Sequence, residues 1–180
     1  MSAKTHIAKV GKMRFRILMM LVAVTLISGC GESLDPKIAA LRDRALSTAA
    51  LEGPKPIPDV RKALKSDELK ANSKFVVRAR INAGDFPPFV DGMAAFVITD
   101  ATGHDGDESH NPHECPFCKR DINNVIAQVQ FVDEAGTMLQ KDARELFGLK
   151  EFDLIDVEGT GSFDDADMLM IRASRIYVKR

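Results

Sequence analysis

A chain of 180 residues suits one domain with added segments. Its 25 Lys and Arg oppose 26 Asp and Glu, and five of the basic residues (Lys4, Lys9, Lys12, Arg14, Arg16) fall in the first 29 positions, which hold no acid. The remainder therefore carries 20 basic against 26 acidic side chains, which argues against a general polyanion binder, since nucleic-acid affinity rests on neutralising phosphates. One Tyr and no Trp leave few stacking surfaces as well.

The basic start leads into eleven largely apolar residues, Ile17 to Ile27. About 20 would be needed to cross a bilayer core. A basic stretch, a short apolar run and small residues before a cut site are the layout of an export signal. The run ends Leu26-Ile27-Ser28-Gly29-Cys30, which resembles the lipobox of bacterial lipoproteins, with Ile27 where the family most often has Leu. The resemblance implies removal of residues 1–29, thioether lipidation of Cys30 and acylation of the new amino terminus. It implies a place in the cell envelope, lipid-anchored on the extracytoplasmic side of a bacterial membrane. Each buried methylene contributes about 0.8 kcal/mol, so more than one acyl chain gives durable anchoring. An ordinary secretory signal ending near a cysteine is the alternative.

Residues 30–72 read as a membrane-proximal spacer with short helices. Asp35 can cap a helix that opens with Pro36, and Ile38, Leu41, Ala45 and Leu46 share one stripe. This helix is expected to stop near Gly53, where Gly53-Pro54-Lys55-Pro56-Ile57-Pro58 forces an extended stretch, and a second helix is expected from Asp59 to about Leu69.

From residue 73 the period changes to two. Phe75, Val77, Ala79 and Ile81 alternate with Arg78, Arg80 and Asn82, which predicts a strand with one buried face. A loop with Pro87-Pro88 follows, then a strand from Met93 to Thr99, and a long polar loop over 101–124. Val125, Ala127, Val129 and Phe131 mark a third strand. Asp142 and Glu145 have capping-box spacing, with Gly148 placed to end that short helix. The last strands are expected at about Leu154–Thr160 and Met168–Val178. Five strands with a helix between the third and fourth resemble the OB-fold, a small five-stranded Greek-key barrel, over residues 73–180. The expected fold is therefore mainly β, an OB-like barrel preceded by a helical, Pro-rich spacer; another small sandwich or barrel is the alternative.

The chemistry concentrates in the 101–124 loop. It holds His104, His110, His113, Cys115 and Cys118: every His and Cys that follows Cys30. Two thiolates two residues apart can grip one ion from a single tight turn, and imidazoles complete a tetrahedron. The spacing His110-x-x-His113-x-Cys115-x-x-Cys118, with His104 able to replace either imidazole, is a soft set that selects zinc or copper(I). Glu114 beside it could serve as a base to a metal-bound water, whereas Asp105, Asp107 and Glu108 read as solvated loop charges. No catalytic set is evident.

Three other readings stay open. Cys115-Pro116-Phe117-Cys118 resembles the active-site string of glutaredoxins, but a polar loop precedes it and no long helix follows. Covalent haem needs C-x-x-C-H, and residue 119 is Lys. A plain disulfide would leave the histidines unexplained. OB-folds usually bind ligands between the loops joining strands one to two and four to five. Here those hold Phe86 and Phe89, expected as loop anchors, and the acidic Asp164, Asp165 and Asp167. The His/Cys loop is expected at the barrel end opposite both. The sequence thus points to a lipid-anchored protein that holds or transfers zinc or copper or contacts an envelope partner protein. The rivals are thiol-disulfide chemistry and an oligonucleotide- or oligosaccharide-binding barrel.

Overall fold

The alternating segments become strands where the sequence places them. The computed structural model describes residues 34–102, 111–116 and 118–180; the leader, Cys30, His104 and His110 lie outside these. In chain order the elements are α1 (Pro36–Ala45), β1 (Leu46–Ser47), α2 (Ile57–Lys65), β2 (Phe75–Ile81), β3 (Ala95–Asp100), a 3-10 turn (Cys118–Asp121) running into α3 (Ile122–Val125), β4 (Ile126–Gln130), α4 (Ala143–Phe147), β5 (Leu154–Phe163) and β6 (Leu169–Lys179).

β2 pairs antiparallel with β3 and with β5, β3 with β4, and β5 with β6, while β4 runs parallel to β6. The ring β2–β3–β4–β6–β5 is a closed, mixed five-stranded barrel, with the strand order of an OB-fold. Closure leaves none of these five strands with an open edge. β1 is an addition: two residues parallel to β6, in register Leu46 with Ile176. The ladder of β5 and β6 slips between Glu158 and Gly159. A Cβ at Gly159 would overlap the Arg172 carbonyl, so only glycine lets the two backbones approach closely at this bend.

Inward side chains fill the barrel, with Val77, Ile81, Phe96, Ile98, Val129, Phe131, Ile155, Val157 and Ile171 all essentially inaccessible. α4 packs onto this core through Leu146 and Phe147, with the Phe147 ring 4.5 Å from that of Phe131. Its cap is as expected: the Asp142 carboxylate accepts the Arg144 N–H at 2.9 Å, and Gly148 ends the helix in the left-handed region.

Residues 35–180 form one compact unit, so the segment expected as a spacer is part of the domain. The Asp35 cap on α1 is present, its carboxylate accepting Lys37 N–H at 2.8 Å, but the helix ends at Ala45 rather than near Gly53. α2 starts at Ile57, and Ile57 and Val60 are buried in the core cluster. Arg61, almost inaccessible, bonds the backbone oxygen and carboxylate of Asp167 in the turn before β6, both at 2.9 Å. Amphipathic helices joined by Pro-rich links look alike in sequence whether docked or detached, and here burial of the apolar stripe decides.

The polar face of β2 is also less open than alternation suggests. Arg80 and Asn82 are buried; the Arg80 guanidinium donates to Phe152 O, and the Asn82 carbonyl accepts the Thr99 hydroxyl, both at 2.9 Å. Asp156, 2% exposed, accepts both Arg78 Nε (2.8 Å) and Nη2 (3.1 Å).

Candidate metal centre

The His/Cys loop leaves the barrel at Asp100, whose carboxylate accepts Ile57 N–H at 2.8 Å and the Thr102 hydroxyl at 2.6 Å. These bonds pin the loop's first residues to the start of α2. At its far side the loop re-enters through the 3-10 turn and α3, where Asn123 Nδ2 donates to Ala166 O at 3.0 Å. Because β4 and β6 are parallel, the β3–β4 loop and the β5–β6 turn lie at the same barrel end. The expectation that they would be opposite is therefore corrected. β5 begins at the end where β4 leaves, so it runs back to the end where the His/Cys loop starts.

The loop does not stay at that end. Asn111 Nδ2 donates to Asp85 Oδ1 at 2.9 Å, in the β2–β3 loop at the other end of the barrel. Next to it the His113 ring meets Phe86 edge-on, with centroids 5.8 Å apart. Gly84 makes the seat. Its φ is +66°, and a Cβ there would overlap the His113 ring and come within 2.9 Å of Asn111 Oδ1. The loop thus bridges the two loops that border the usual ligand face of an OB barrel, and is no separate appendage. Phe86 is also not an anchor: it is 64% exposed, whereas Phe89 packs on Phe96 with the Arg144 guanidinium over its ring.

Beyond His113 the backbone folds tightly around the cysteines. Asn111 O accepts N–H groups from Glu114 and Cys115 at 3.2 and 3.0 Å, and Cys115 O accepts Lys119 N–H at 3.1 Å. The Cys118 N–H points at Cys115 Sγ at 3.5 Å, and the two thiols share a hydrogen bond. Burial, the contact with Cys115 and the nearby Asp100 carboxylate push the Cys118 thiol up to about 11. In the glutaredoxin string the first cysteine opens a long helix, and here the second cysteine opens only a four-residue 3-10 turn. The Asp167 carboxylate of the acidic turn is held by Lys65 (2.7 Å) and Arg61 (2.9 Å), which lower its pKa.

Of the sequence-derived ligands, then, Cys115 and Cys118 are brought together. His113 is turned onto Gly84 and Phe86. His104 and His110 lie outside the described residues, as does the lipidation candidate Cys30. Among the described residues no three His, Cys, Asp or Glu side chains converge as a metal-holding group. Gly84, Asn111 and Asp85 are the site residues that sequence reasoning missed. Gly84-Asp85 is legible as a turn, but nothing in the sequence says that His113 would sit on it.

No protein-family model matches this chain, and no curated protein is significantly similar to it.

Proposed function

We propose that this protein is a lipid-anchored envelope protein whose loop binds a soft metal ion, zinc or copper, for holding, transfer or contact with a partner protein. The observation that carries the metal assignment is the thiol pair. Cys115 and Cys118 meet within one turn, and the Cys118 backbone N–H points at Cys115 Sγ, a contact that favours the thiolate of Cys115. Imidazoles of His104 and His110 complete the set, with His113 serving to seat the loop on Gly84. The clustering of every downstream His and Cys in this loop supports the same reading. The anchor rests on the Ser28-Gly29-Cys30 lipobox; no helix among the described residues is long and apolar enough to cross a membrane.

Metal content of the purified protein tests the proposal. About one equivalent of zinc or copper is expected, and none in a Cys115→Ser/Cys118→Ser variant that keeps its fold. Protein that takes up no metal, or a double variant that holds as much as the native chain, rejects it.

A further inference from the structure

The structure leaves very little chain between the lipid and the folded domain. Asp35 already caps α1, so only residues 31–34 separate it from Cys30. Five Cα steps span at most about 17 Å when fully extended. A spacer of some forty residues would let the barrel stand off from the membrane in any orientation. A tether this short holds the amino end of α1 at the bilayer surface and raises the effective concentration of lipid beside it.

That end of the domain carries an apolar groove. α1 and the 133–140 segment after β4 enclose about 780 Å³, with Ile38, Ala40, Met138 and Leu139 among its walls. Lys37 and Arg44 are set against Asp35, Asp133 and Glu134, so the rim has no excess of positive charge. Apolar contact rather than attraction to anionic headgroups is what such a groove offers a membrane. We infer that the groove between α1 and residues 133–140 rests on the bilayer that holds Cys30 and takes up lipid at the interface. The inference rests on the lipid anchor proposed above. It also fixes which surfaces face away: β4 runs parallel to β6, so the 133–140 segment after β4 and the 164–168 turn before β6 are at opposite barrel ends. The start of the His/Cys loop shares the far end.

Photo-crosslinking of the full, membrane-extracted protein in phosphatidylethanolamine–phosphatidylglycerol vesicles tests this. Thr137, exposed at the groove, and Asp165, exposed in the opposite turn, are each replaced by p-benzoylphenylalanine. Several-fold more lipid adduct from position 137 than from 165 is the expected result. Equal yields from the two positions, or a protein adduct instead of lipid at 137, overturn the inference. Mass spectrometry of the same samples reports acylation of Cys30. Its absence would sink the anchor and this inference together, whereas acylated protein with equal crosslinking sinks the inference alone.

Discussion

Replacing Gly84 by Ala should undock the His/Cys loop, and a second glycine supplies the control. Gly84 and Gly53 both sit in the left-handed region, at φ +66° and +63°, but nothing lies within 4 Å of a Cβ at Gly53. Ala in this conformation costs about 1 kcal/mol, and that is all Gly53→Ala should lose. Gly84→Ala carries the same backbone cost and also drives the new methyl into the His113 ring. The ring must leave, and with it go the edge-on contact to Phe86 and the Asn111–Asp85 hydrogen bond. Those contribute roughly another 1–2 kcal/mol. Urea unfolding with linear extrapolation reads the totals, about 1 kcal/mol for Gly53→Ala against about 2–3 kcal/mol for Gly84→Ala. Faster reaction of Cys115 and Cys118 with a thiol reagent should accompany the Gly84 change alone. Equal losses in the two variants, with unchanged thiol reactivity, would refute the docking of His113 on Gly84.

Three further outcomes follow from burial and charge. Ile57→Ala should cost about 2–4 kcal/mol in urea unfolding, because the side chain is fully buried; a silent substitution would restore residues 30–72 to the status of spacer. Asp156→Ala removes the two hydrogen bonds that the buried carboxylate accepts from Arg78 and should cost about 1–3 kcal/mol. A change below about 0.5 kcal/mol would mean that this pair is solvated like an ordinary surface bridge. Asp142 is held well below the usual carboxylate range by hydrogen bonds from the Arg144 side chain and from the Arg144 and Gly92 backbone, against the opposing effect of burial. Its stabilisation is complete above the unfolded-state value near 4 and is lost as pH falls through the lower folded value. Native protein and Asp142→Asn should therefore differ at pH 7 and draw together below about pH 4; a gap constant across that range would contradict the assignment.

How much could be read in advance differs from element to element. Strands such as Phe75–Ile81 and Ile126–Gln130 carry a period-two pattern that one buried face imposes, so they were legible, as were Asp35, Asp142 and Gly148 as helix ends. β1 was not, because two residues hold no periodicity and their partners on β6 lie some 130 residues away. Arg80 and Asn82 sit on the polar side of an alternating strand, and only the tertiary placement of Phe152 and Thr99 against them makes that side buried. At the site, composition pointed to Cys115 and Cys118, whose meeting needs only a local turn. The seat of His113 depends on Gly84, some thirty residues earlier, and on a loop path along the barrel that no local pattern encodes.

X-ray absorption at the edge of the bound metal tests the central claim most directly, since it reports the atoms touching the ion. The account predicts sulfur scatterers at about 2.3 Å together with imidazole nitrogens at about 2.0 Å, the sulfur shell vanishing in Cys115→Ser/Cys118→Ser. A first shell of nitrogen and oxygen alone in the native protein would contradict it.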